Sequence, residues 1–131
     1  MGKFRKTERL GSRKIIGKLF TEGNSVYHYP FRMVWLNSGS GALHPATIAI
    51  SVPVRRIRKA VKRNLVKRLV RESYRRNREI LHEALENNNL KIDFMIIYNS
   101  GSVYAFDFIN LKLRELIQKF IQENATGQDI L

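Results

Sequence analysis

The 131-residue chain has no cysteine, which removes disulfides, thiolate nucleophiles, iron–sulfur clusters and cysteine-ligated zinc and fits a reducing compartment. It has no apolar run near the roughly 18 residues that a membrane-spanning helix needs. The opening MGKFRKTERL is basic with no apolar stretch behind it, so a secretory leader is not expected, and Lys6 stands where a myristoylation signal wants Ser or Thr. Acidic residues are scarce: 11 Asp and Glu face 24 Lys and Arg, a formal net charge of +13 that calls for a polyanionic partner. With 44% hydrophobic and 10% aromatic residues, the chain is not a disordered basic tail; it has the apolar surface for one folded domain.

The charge is concentrated. Arg55 to Arg78 holds twelve basic residues and one acidic residue, Glu72; Lys3 to Lys18 is a weaker basic segment, and everything after Glu79 is nearly balanced. Leu10, Ile15, Ile16, Leu19 and Phe20 recur at helical spacing and stop before Gly23-Asn24. Tyr27 to Leu36 reads as a strand, with Phe31, Met33 and Trp35 on one side and Arg32, Val34 and Leu36 on the other. Asn37 to Pro45 is turn chemistry, and Thr47 to Val54 reads as a second strand that Pro53 makes an edge or an exit. A long helical pattern covers about Ile57 to Leu85, closed by Asn87-Asn88-Asn89. Lys91 to Tyr98 is a nearly continuous apolar, hence central, strand, and Phe106, Ile109, Leu113, Leu116, Ile117 and Phe120 form a last amphipathic stripe. The order α, β, β, α, β, α implies a mixed α+β sandwich in which the long helix crosses between parallel strands.

On a helical projection, Val61, Leu65, Leu69, Val66, Val70 and Ser73 fill one half of the long helix, and Arg63, Lys67, Arg71, Asn64, Arg75 and Arg68 the other. Arg63, Lys67, Arg71 and Arg75 stand one turn apart, a like-charge repulsion of a few tenths of a kcal/mol per pair unless an anion neutralises it. A solvated helix face usually mixes Glu with Lys, whereas this one omits Glu, prefers Arg and includes Asn64. Its expected ligand is a phosphate backbone. Zinc-finger spacing and a leucine zipper are both absent, and the basic helix lies between strands, which favours RNA over DNA. Strand aromatics beside such a face suit a single strand, although Phe31, Trp35, Phe94 and Phe106 are equally candidates for the core.

Ala60-Val61-Lys62-Arg63-Asn64-Leu65-Val66-Lys67-Arg68-Leu69-Val70-Arg71-Glu72 resembles the signature helix of the bacterial ribonuclease P protein subunit, A-V-x-R-N-R-x-K-R-hydrophobic-hydrophobic-R-E. Phe20-Thr21-Glu22-Gly23 is similar to that family's F-x-x-G at the end of helix one, and Ile50-Ser51-Val52 to its I-S-V strand; the likeness runs from about Phe4 to Phe120. Leu65 departs from the usual Arg, Ile16 from the first Phe of F-x-x-x-F, and Val34 from a frequent Tyr. The resemblance implies an αβββαβα two-layer sandwich with a left-handed β-α-β crossover, as one RNA-binding domain over 1–131, ordered from about 4 to 122 with a short flexible C-terminal tail. It also implies a cytoplasmic partnership with the ribonuclease P RNA subunit, one to one, and with precursor tRNA, and none with DNA or a membrane. Catalysis, with its Mg²⁺, then belongs to the RNA, which removes the 5′ leader. On that reading Lys59, Lys62, Arg63, Asn64, Lys67, Arg68, Arg71 and Arg75 bind the RNA subunit, and Ile16, Phe20, Phe31, Lys67 and Arg71 line a cleft for the single-stranded leader.

The residues themselves offer no rival catalytic centre. His28, His44 and His82 lie in unrelated segments, Asp93 and Asp107 are isolated, and no H-E-x-x-H, G-x-S-x-G or P-loop spacing occurs. Charge alone leaves open a ribosomal or ribosome-assembly protein and, more distantly, a DNA-binding protein.

Overall fold

The computed structural model describes Leu10, residues 13–38 and residues 44–124. The expected tail beyond 124, most of the first basic segment and residues 39–43 of the turn-rich stretch lie outside these. The elements are α1 (Arg13–Glu22), β1 (Asn24–His28), β2 (Phe31–Asn37), β3 (Ala46–Ser51), α2 (Ala60–Asn87), β4 (Ile92–Tyr98) and α3 (Phe106–Asn124). The strand order is β1-β2-β4-β3, with β3 parallel to β4 and the other pairs antiparallel, so α2 carries the parallel crossover and the apolar β4 is central as its composition predicts.

One expectation is overturned. Tyr27 to Leu36 is not a single strand but a hairpin that reverses at Tyr29-Pro30, whose peptide bond is cis. Proline has no N–H to give a ladder, and the reversal at Pro30 sets His28 opposite Phe31.

Both faces of the sheet are covered, unequally. α2 and α3 pack on the face carrying Met33, Trp35, Phe94 and Ile96, where Tyr74 meets Phe94 and Phe120 meets Trp35 edge-on at ring distances of 5.7 and 5.3 Å. Each fully buried side chain of this kind contributes roughly 1.5–3 kcal/mol. The two helices share a polar seam: Asn77 Nδ2 and Ser73 Oγ donate to Asn110 Oδ1 at 2.8 and 3.0 Å, and Arg114 Nε donates to Asn77 Oδ1 at 3.2 Å. Among the described residues the opposite face carries α1 and Leu10, and Leu19 of α1 packs with Val34, Met95 and Ile97. Gly23 lets this helix approach, because a Cβ there would lie 2.4 Å from Leu19 O and 2.6 Å from Val34 Cγ1. At the far end of α2, Asn89 adopts φ 55° and Leu90 N–H returns to Leu85 O at 2.8 Å, ending the helix before β4.

Candidate nucleic-acid interface

Length sets the exposure of the basic residues. A helix of 28 residues is about 42 Å long, whereas a seven-residue strand spans about 23 Å, so α2 must overshoot the sheet. Its buried positions run from Val66 to Leu85, so the overhang is at the N-terminal end, where the charge lies. Lys59, Lys62, Asn64 and Arg68 are exposed there. Arg63 is half-buried and donates to the carbonyls of Ile57 and Arg58 at 3.0 and 2.6 Å, fixing the turn that feeds the helix. Among the described residues Lys67, Arg68 and Arg71 have no acidic partner.

The buried stripe of α2 is Val66, Val70, Ser73, Tyr74, Asn77, Leu81 and Leu85. It corrects the projection in part: Val66, Val70 and Ser73 are buried and Leu69 packs against the core, but Val61 is 80% exposed and Leu65 36%, so both belong to the outer face beside Arg68. Arg75 is less free than expected. It grips Glu72 with two hydrogen bonds of 3.0 and 2.6 Å, and Arg76 adds a third at 2.9 Å. The bonds to Arg75 and then Arg76 hold the Glu72 carboxyl down from its ordinary 4.5 to about 2. The one acidic residue of the basic window is therefore ionised at neutral pH and reserved for two arginines.

A cavity of about 320 Å³ opens where α1, the β3 edge and α2 meet, bordered by Leu10, Ile16, Ile48, Ala49, Ile50, Met95 and Arg71. Leu10 N–H bonds the free edge of β3 at Ile48 O, 2.8 Å. Ile16 and Arg71 thus come together as predicted; Lys67 lies one turn before Arg71, and Phe20, 57% exposed, one turn after Ile16. The arrangement is an apolar trough with cations along one wall, able to take a chain that is apolar along its bases and anionic along its backbone.

Phe31 does not belong to this trough. It is 2% exposed on the other face of the sheet, edge-on to Tyr98 at 5.8 Å, and has no surface on which a base could stack. The even-numbered partners of that strand face the α1 side instead. Tyr27 pairs with Arg32 and Arg32 with Ile97 across the ladder, in line with Ser51, and the Arg32 guanidinium stands 5.6 Å over the Tyr27 ring. Tyr27 is 57% exposed, so this pair forms an aromatic–cation patch on the β1 side of the sheet, outside the lining of the trough. Among the described residues no three His, Cys, Asp or Glu side chains cluster as metal ligands, and no helix is long and apolar enough to cross a membrane.

Comparison with known proteins agrees with this geometry. The family model described as Ribonuclease P matches residues 4–124. The ribonuclease P protein component of Porphyromonas gingivalis strain W83 is 39% identical over 94 residues, 70% of this chain and 69% of its own length. The RNase P protein from Thermotoga maritima superposes with a TM-score of 0.67 at 25% identity, over 84% of this chain and 94% of that one. A Staphylococcus aureus RNase P protein shares the fold at TM-score 0.64 and 20% identity, over 85% and 93%.

Proposed function

Because this chain belongs to the ribonuclease P protein component family, whose role is in tRNA processing by a ribonucleoprotein endoribonuclease, we propose that it binds the ribonuclease P RNA subunit through α2 and the 5′ leader of precursor tRNA in the trough beside α1. The observation that carries this reading is the exposed face at the N-terminal end of α2 and its cap, where Arg68, Asn64, Lys62 and Lys59 face solvent and are open to a partner without unpacking the core. Lys67 and Arg71 lie on the flank of the same helix that borders the trough, so they would neutralise leader phosphates while Phe20 offers a ring. The leader is a single strand and meets an apolar floor; the RNA subunit meets a convex cationic rod.

Cleavage belongs to the RNA on this proposal, and the Mg²⁺ it uses is held there by phosphate oxygens. The protein supplies binding and orientation in the cytoplasm, as one copy per RNA subunit. The test is reconstitution: the chain added to ribonuclease P RNA and precursor tRNA at low Mg²⁺ restores 5′ cleavage. A ribosomal or ribosome-assembly role predicts no rescue, and that result would overturn the proposal.

A further inference from the structure

At one end of the sheet the β1–β2 turn, the loop before α2 and the loop before α3 converge. Tyr29 of the turn is 57% exposed, yet its hydroxyl end is tethered. Its phenol donates to Ser100 Oγ at 3.1 Å and accepts from the Tyr104 hydroxyl at 2.8 Å. Those bonds lower the Tyr29 phenol from its ordinary 10, with a smaller contribution from the nearby Arg56 charge. The rings continue inward: Tyr29 meets Tyr104 edge-on at 6.3 Å, and Tyr104 lies against Phe108 at 4.3 Å with the planes tilted 37°. Arg56 is itself tethered, donating to Asn99 Oδ1 at 3.1 Å, while Asn99 N–H holds Pro30 O at 2.7 Å beside Tyr29. Glu115, midway along α3, is engaged by His28 at 2.7 Å and Lys112 at 3.5 Å, and the carboxylate in the first turn of α3 is the exposed Asp107.

An exposed aromatic side chain normally loses rotamer freedom when it is bound; one already fixed by hydrogen bonds avoids that loss. A fixed ring beside a fixed guanidinium is what an unpaired base and its phosphate require. The site is separate from the leader trough, since α3 and α1 cover opposite faces of the sheet. It is continuous instead with the segment entering α2, through Arg56. We infer that Tyr29, backed by Tyr104 and flanked by Arg56, is a stacking platform for one unpaired nucleotide of the RNA subunit. This rests on the proposed function for the identity of that RNA.

Tyr29→Phe and Tyr29→Leu both remove the phenol hydrogen bonds, so the difference between them isolates the aromatic face. Equilibrium binding to the RNA subunit alone and to precursor tRNA alone, with thermal melting of each variant, tests the platform. Tyr29→Leu is expected to bind the RNA subunit roughly 5- to 150-fold more weakly than Tyr29→Phe, the range for one base–aromatic stack. The salt slope should stay unchanged, because no phosphate contact is lost, and precursor tRNA affinity should be equal for the two. Equal affinities of the two variants for the RNA subunit overturn the inference, whether or not both melt lower, as does a loss confined to precursor tRNA. A Lys59/Lys62/Arg68→Ala control, on the residues proposed to meet the RNA subunit, separates the two proposals. If it binds the RNA subunit weakly while the Tyr29 variants match, the platform alone is wrong; if it too binds like the unmodified chain, the proposed function fails with it.

Discussion

Phe20 stands on α1 with more than half its surface in solvent, one turn beyond the Ile16 that borders the trough. Less than half of it is buried by folding, so we predict that Phe20→Ala lowers stability by about 1 kcal/mol, well short of the loss for an enclosed ring. Precursor tRNA binding should weaken by about 1–3 kcal/mol, and mature tRNA binding should hardly move, because only the leader supplies a base to stack. Titrations with a series of leader lengths, beside a urea denaturation curve, check both halves. Equal losses for every leader length in a destabilised protein would return Phe20 to a packing role. Phe31→Ala is the contrasting case: its ring is enclosed between the sheet and α3, and its removal should cost about 3–5 kcal/mol of stability whatever RNA is present.

The element that decides most is α2, and its register has a testable consequence. Leu65 lies on the outer face beside Arg68, so Leu65→Arg adds a cation where a phosphate backbone is proposed and removes little packing. We predict a stability change within about 1 kcal/mol and a salt slope for RNA-subunit binding steeper by about 0.7–0.9, the value of one added phosphate contact. A loss of several kcal/mol in denaturant titrations would instead mean that Leu65 supports the core. The sequence could not choose this register. Leu65-Val66 and Leu69-Val70 are adjacent apolar pairs, and helical periodicity does not say which member of each pair faces inward. Only the end of the sheet decides, by leaving Val61 exposed and Leu65 partly covered. β2 was legible in its alternation, with Phe31, Met33 and Trp35 on one face and Val34 and Leu36 on the other, but not in which helix covers which set, because both sets are largely apolar. β4 and α3 were legible because each carries one unambiguous pattern, a continuous apolar run and a single stripe. The trough was legible in its basic wall and its helix-one residues, but not in its floor of Ile48, Ala49, Ile50 and Met95, which depends on β3 pairing with β4 as the open edge of the sheet.

Across the whole molecule a net +13 is carried largely by one helix and its lead-in, so binding to RNA should be governed by ion release, and log K should fall linearly with log salt. Two variants are predicted to move that slope in opposite directions. Lys67/Arg68/Arg71→Ala removes three cations without acidic partners among the described residues, and the slope should become shallower by roughly 2–3 units, with the fold retained because none of the three is buried and none forms an ion pair there. Glu72→Gln releases Arg75 and Arg76 from the carboxylate that now holds them, so the slope should steepen by about 0.7–0.9 for each guanidinium that reaches a phosphate. The pH dependence has a fixed sign. A carboxyl held at about 2, below its ordinary 4.5, contributes fully above 4.5 and loses its contribution as pH falls through about 2. Between about pH 5 and 8 Glu72 is ionised throughout, so it adds no pH dependence to the slope of the unmodified chain, and the offset between that chain and Glu72→Gln should be constant across this window. Binding isotherms at four salt concentrations and three pH values measure both effects. A Glu72→Gln slope equal to that of the unmodified chain would mean that Arg75 and Arg76 face away from the RNA, and the bound face of α2 would then be confined to the N-terminal overhang and the trough side.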